Sequence, residues 1–141
     1  MLTTYLLDTN MVSYIVTGQS PAARQRMLGL SDDEICCVST ISEGELRFGL
    51  AKRSKAVAAE ARAVLDSFLA RIQVVPWGRE EAESYGMVRA KLEAVGKFLS
   101  GMDMLIAAHA LGTNSILVTN NVREFSRLKG LKYEDWLGAG R

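Results

Sequence analysis

Four short apolar runs punctuate the chain: Thr4–Leu7, Ile35–Val38, Ile72–Val75 and Ile116–Thr119. Each is bounded by polar, Gly or Pro residues, which is how strands buried on both faces of a parallel sheet look in sequence. Lys132–Tyr133 is a fifth candidate. Between the runs, helical spacing predicts helices over 11–16, 21–30, 42–51, 55–70, 79–95 and 102–111. Pro21 suits a first helical turn, and Gly96 and Gly112 suit helix ends. Strands alternating with helices predict an α/β fold around a mainly parallel sheet of four to five strands. No internal repeat, low-complexity tract or linker interrupts the pattern, so residues 1–141 read as one domain.

Composition narrows the class. An apolar fraction of 48% and a charged fraction of 23% are those of an ordinary globular chain and exclude a disordered one. The net charge of +1 is unevenly spread: residues 1–50 carry three Lys/Arg against six Asp/Glu, and residues 51–100 carry nine against six. Solvated helix faces explain that, and so does a basic surface beside an acidic pocket, which would suit a polyanion. Cys36 and Cys37 are adjacent and would point to opposite faces of a strand, so they read as core residues rather than a disulfide. No signal-peptide pattern and no run of roughly 20 apolar residues occurs, so the expectation is a cytoplasmic protein with no membrane association.

Candidate chemistry rests on acids placed where segments begin or end. Asp8 follows the first apolar run, Glu45 lies beyond the second, Asp103 opens the apolar stretch Met104–Ala108, and Glu124 follows the fourth run. In parallel sheets, ligands bind beyond the carboxyl ends of the strands, where Asp8 and residues 119–124 fall. Each acid also has a structural reading. Asp8-Thr9-Asn10 can simply start a helix, Ser42 with Glu45 can form a capping box, and Asp103 can complement a helix dipole. Glu43, two residues from Glu45, points elsewhere on a helix, which leaves Glu45 as the pocket candidate. Asp103 precedes an almost wholly apolar helix, so its carboxylate is expected to be semi-buried and in need of a partner.

Taken together the four acids point to a hard cation. Two carboxylates about 4 Å apart repel by roughly 4 kcal/mol at an effective dielectric near 20, so a cluster takes up protons or binds a dication. An all-oxygen set favours Mg²⁺, with Mn²⁺ as a substitute, and a lone His109 without suitably spaced Cys argues against zinc. His109 reads as a packed or capping residue. Ser13, Ser39 and Ser42 lack a triad arrangement, and Gly-rich phosphate loops are absent.

The stretches YLLDTN (5–10), ELRFGL (45–50), YGMVRAKLEAVGKFLSGMDMLIAAHA (85–110), LVTNNVREF (117–125) and GLKYEDW (130–136) resemble, in order, VapC-type toxins of the PIN-domain family. The resemblance implies a PIN-like three-layer α/β/α fold and a Mg²⁺-dependent endoribonuclease that cuts RNA, with tRNA in the anticodon region as the expected substrate. It also implies a homodimer neutralised by a VapB-type antitoxin, with DNA bound only through the antitoxin complex. Carried over by motif, Asp8, Glu45 and Asp103 are the metal-binding acids, and Asp8, Glu45, Asp103 and Glu124 the catalytic set. Thr9, Asn10, Thr119 and Asn121 are secondary site candidates, and Arg47, Arg89 and Arg123 candidate phosphate contacts. Many relatives carry Asp where this chain has Asn121, which leaves the fourth position open between Asn121 and Glu124. Ser42 and Ser100 are small departures from the family pattern. The helices at 55–70 and 79–95 are candidate dimer surfaces.

Two rivals belong to other classes. A PIN-like module with a decayed site would act only through antitoxin and nucleic-acid binding, and metal-dependent turnover would exclude it. A phosphoryl-transfer or receiver domain would use Asp8 as acceptor, but the phosphatase pattern wants an acid where Asn10 stands.

Overall fold

The computed structural model describes residues 2–137, so Met1 and residues 138–141 of the expected 1–141 domain lie outside the described residues. Among the described residues five strands form one parallel sheet: β1 (Thr3–Leu7), β2 (Glu34–Ser39), β3 (Gln73–Val75), β4 (Ile116–Val118) and β5 (Tyr133–Glu134). Their order is β3-β2-β1-β4-β5. Leu7 of the central strand pairs with Val38 on one side and Val118 on the other. That register brings Asp8, Ser39 and Thr119 to the same carboxyl edge.

Seven helices, among the same residues, connect and cover the strands: α1 (Thr9–Val16), α2 (Pro21–Leu28), α3 (Thr40–Ala51), α4 (Lys55–Leu69), α5 (Arg79–Ala94), α6 (Gly101–Gly112) and α7 (Val122–Phe125). Alternation along β1 divides the core in two. Leu6 packs with Cys37, Leu117, Ile106 and Phe125 on one face, while Tyr5 and Leu7 pack with Val38, Val118, Met11 and Leu65 on the other. The three-layer α/β/α arrangement follows, with α5, α6 and α7 on one side and α1 and α4 on the other. The helix α3 touches α1, α4 and α6 and so bridges the layers at one edge. The adjacent cysteines are free, as expected, and burial pushes the Cys36 thiol up to about 12, away from the thiolate form.

Several boundaries differ from the sequence pattern. The helix expected from residue 42 begins at Thr40, because the buried Ser39 caps it by accepting from the Ile41 amide at 3.0 Å. This corrects the capping-box reading of Ser42 and Glu45, since Glu45 lies more than a turn beyond the cap. At α6 the cap is Ser100, accepting from the Asp103 amide at 3.2 Å, and Asp103 lies in the first turn, where its charge complements the helix dipole. The end expected at Gly96 is there: it adopts φ +69°, and the Lys97 amide reaches back to the Leu92 carbonyl at 2.9 Å. The short α7 has no sequence expectation behind it. Its single turn is held by Phe125, which is fully buried against the sheet. The chain contains no helix, among the described residues, long and apolar enough to cross a membrane.

Candidate metal and catalytic site

Asp8 is the centre of the site. It caps α1, with Oδ1 accepting from the Met11 amide at 2.8 Å, so the structural and functional readings of this residue coexist. Its Oδ2 accepts from the Thr119 hydroxyl at 2.6 Å, across the sheet from β4. Asp8 is only 8% exposed, and burial, opposed by these two bonds and reinforced by the charges of Asp103 and Glu45, lifts its pKa from 3.8 to about 6. Charges from α3 and α6 therefore act on one buried carboxyl at the end of β1.

A hydrogen-bonded relay ties the other groups to it. Thr119 Oγ1, while donating to Asp8, accepts from the Asn121 amide at 2.9 Å. The Asn121 side-chain amide in turn donates to Asp103 Oδ2 at 3.2 Å. Asp103 is half-buried at the third position of α6, and burial with the charge of Glu124 raises its pKa. On the opposite side Thr9, the first residue of α1, donates to Glu45 Oε1 at 2.5 Å. Asn10 is exposed beside them. Removing the Thr119 hydroxyl should push Asp8 further up, because that bond favours the charged form. We expect the Asp8 carboxyl-carbon titration in Thr119→Val to have a higher midpoint than the parent; an equal or lower one would contradict the relay.

Other candidates are placed less directly. Glu43, on a different side of α3 from Glu45, pairs with Arg47 at 2.8 Å, and Arg47 also reaches Asp66 at 2.9 Å. Arg89 is held by Glu93 and the Tyr85 hydroxyl. Both guanidiniums thus have protein partners, whereas Arg123 is exposed on α7 with no ion pair among the described residues. Glu124 is bound by Arg127 at 2.6 Å, and the same guanidinium donates to the Phe98 carbonyl at 3.0 Å. The role of Arg127 was not visible without α7, although Glu124-x-x-Arg127 has the i,i+3 spacing of a helical ion pair. His109 is wholly buried, with Nδ1 2.8 Å from the Ser39 hydroxyl, in keeping with a packed residue.

The donors Asp8, Glu45, Asp103, Thr119 and Asn121 offer oxygen ligands only, the chemistry of a hard cation. As the side chains stand, no three acidic, His or Cys groups among the described residues are gathered tightly enough to hold an ion. What fits a dication is the setting of two of the acids: burial raises the proton affinity of both Asp8 and Asp103, and a neighbouring acid adds to it in each case. A cleft of about 990 Å³ lies elsewhere, along the amino-terminal parts of β2 and β3 and the end of α4, and includes none of these acids.

The PIN domain family matches residues 5–131, nearly the whole of this architecture and every acid of the site. The chain belongs to the PIN-domain family. Within it the similarity is to the VapC type. Ribonuclease VapC2 of Rickettsia felis is 33% identical over 132 residues, covering 94% of this chain and 97% of that one. The tRNA(fMet)-specific endonuclease VapC of Shigella flexneri is likewise 33% identical over the same shares. The structure of VapBC2 from Rickettsia felis bound to a DNA fragment from its promoter superposes with a TM-score of 0.88, at 31% identity, over 95% of this chain and 99% of that one. In this PIN domain Glu45 and Asp103, two of the acids singled out from the sequence, both act on the carboxyl of Asp8.

Proposed function

We propose that this PIN domain is a Mg²⁺-dependent endoribonuclease, with Mn²⁺ able to substitute, that acts as the toxin of a VapBC-type pair. The observation that carries the reading is the setting of Asp8, a carboxyl buried at the carboxyl end of β1 and bonded to Thr119, whose proton affinity is raised by that burial first and by the charges of Asp103 and Glu45 in addition. The charge on such a carboxyl is relieved by a divalent cation, and it lies where parallel sheets bind ligands. Asp8, Glu45 and Asp103 would hold the ion. Once bound, it would supply activation of a water and stabilisation of charge on a phosphoryl oxygen.

The chain's own residues have distinct tasks in this reading. Thr119 and the Met11 amide orient Asp8, Thr9 orients Glu45, and Asn121 orients Asp103. Glu45 or Glu124 orients the attacking water. Arg123, exposed on α7 next to Glu124, is the readiest of the three arginines to meet a phosphate. The substrate is tRNA, supported by the specificity in the name of the Shigella relative, and the cut is placed in the anticodon region by the family resemblance alone. The partner is a VapB-type antitoxin, and DNA is reached through that complex, by analogy with the Rickettsia assembly. The toxin is a homodimer in the cytoplasm.

The test is incubation of the antitoxin-free protein with a total tRNA pool in Mg²⁺, in EDTA, and with Asp8→Asn in place of the parent. Discrete fragments in Mg²⁺ alone, mapped by end sequencing to anticodon loops, are expected. Cleavage that persists in EDTA would refute the metal requirement. A folded, metal-binding protein that cuts other RNA but no tRNA would refute the substrate.

A further inference from the structure

The two helices that carry Glu45 and Asp103 are joined by one buried side-chain bond that the chemistry above does not use. His109 Nδ1 lies 2.8 Å from Ser39 Oγ, across 70 residues of sequence, and both side chains are fully buried. Ser39 is the cap on which α3 starts, and its Oγ already accepts from the Ile41 amide. His109 sits late in α6. Glu45 lies six residues after Ser39, and Asp103 six residues before His109. Each carboxylate-bearing residue is therefore roughly 9 Å along its helix from the same pin, at 1.5 Å per residue.

Such an arrangement has leverage. Turning one helix by about 10° around the pin would displace a point about 9 Å away by roughly 1.6 Å. Ligand sites tolerate only about 0.5 Å of misplacement before they lose function. A second connection exists nearby: the Trp77 amide donates to Thr40 Oγ1 at 3.2 Å, and its indole donates to the Leu105 carbonyl at 2.9 Å. Trp77 thus ties the start of α3 to α6 beside their direct packing, and the Ser39–His109 bond adds a fully buried tie.

We infer that the Ser39–His109 hydrogen bond is a positioning device that sets the spacing of Glu45 and Asp103 around Asp8. The inference rests on the proposed metal site for its functional consequence, but the geometry it asserts is independent of any ion. Polar donors and acceptors account for its direction. Ser39 donates its hydroxyl proton to Nδ1, and the ring carries its own proton on Nε2. Nε2 has no hydrogen-bond partner among the described residues, and the negative charge of Glu81 acts on the same ring. A buried N–H exposed to a carboxylate's field is less costly than a buried lone pair there.

Three forms of the protein test it: the parent, His109→Leu and His109→Asn, the last of which keeps a polar atom near the Nδ1 position. Residual dipolar couplings measured without metal report the angle between α3 and α6, and Mn²⁺ alone, titrated by electron paramagnetic resonance, reports affinity. His109→Leu should change the angle by about 10° or broaden it, and weaken Mn²⁺ about 10- to 100-fold, the usual cost of removing a supporting bond behind a ligand. His109→Asn should restore both. Because His109 is the only histidine in the chain, its ring ¹⁵N signals are unambiguous and should show the Nε2–H tautomer. If His109→Leu does not fold, Ser39→Ala takes its place, compared with Ser39→Thr as the rescue. A folded His109→Leu with unchanged helix angle overturns the inference, whatever the metal does. A parent that binds no Mn²⁺ while the angle still depends on His109 overturns the metal site and leaves the positioning role standing.

Discussion

Asp8→Asn should abolish RNA cleavage while making the metal-free protein more stable. The loss follows from the role proposed for the carboxylate. An ion's stabilisation of phosphoryl charge amounts to several kcal/mol, and 4 kcal/mol corresponds to roughly a 10³-fold change in rate. Asparagine keeps an acceptor for the Met11 amide and can donate to the Thr119 hydroxyl, so the cap on α1 survives. Cleavage by a folded Asp8→Asn within about tenfold of the parent would remove Asp8 from the metal site.

The gain in stability follows from the raised pKa. A carboxyl whose folded pKa is about 6 instead of 3.8 binds its proton more tightly in the native state. Its contribution to stability is therefore fully present below about pH 4 and is lost as pH rises through 6. Two pKa units correspond to about 3 kcal/mol, an upper figure because water and small movements relieve part of the burial. The neutral amide of the variant carries no such penalty. Thermal unfolding of the variant should exceed that of the parent by up to roughly 10 °C at pH 7.5, with the difference vanishing towards pH 4. The comparison isolates Asp8 from the buried His109, whose lowered pKa acts with the opposite sign and is common to both proteins. A variant less stable than the parent at pH 7.5 would mean that the hydrogen bonds of Asp8 outweigh its burial.

The sheet was legible because central parallel strands must be apolar on both sides, and Tyr5-Leu6-Leu7, Cys37-Val38 and Leu117-Val118 satisfy both cores at once. Asp8 was legible for the same reason: a charged residue directly after such a run falls at the carboxyl edge. Glu45 and Asp103 are harder: each was singled out by its place near the start of a segment, but helices α3 and α6 must pack before either charge reaches Asp8, and that packing is not a local property. The cap of α3 was misplaced because Ser39, Ser42 and Thr40 are all competent caps; the parallel pairing of Ser39 with Val75 carries the strand up to Ser39 and decides between them. Helix α7 escaped because four residues hold too little periodicity to be seen, and its stability comes from burying Phe125, a tertiary fact. The Ser39–His109 bond escaped for the same kind of reason: no local pattern links residues 70 apart.

The structure discriminates best between Asp103 and Glu124, the two acids that α6 and α7 bring to the site. Asp103→Asn should lose cleavage on the order of 10²-fold or more, whereas Glu124→Gln should lose no more than about tenfold. Asp103 belongs to the relay that runs through Asn121 and Thr119 to Asp8, burial raises its proton affinity, and it has no ion-pair partner among the described residues. Glu124 already has a counter-charge in Arg127 at 2.6 Å, so an ion gains less by approaching it. The same contrast should appear without RNA. At 100 times its dissociation constant an ion stabilises a folded protein by about 2.7 kcal/mol, which here means roughly 10 °C in unfolding temperature. Mg²⁺ should raise the parent and Glu124→Gln by similar amounts, and Asp8→Asn and Asp103→Asn hardly at all. If Glu124→Gln instead loses the Mg²⁺ response while Asp103→Asn keeps it, Arg127 must release Glu124 when the ion arrives. The ligand set would then be centred on α7 rather than on α6.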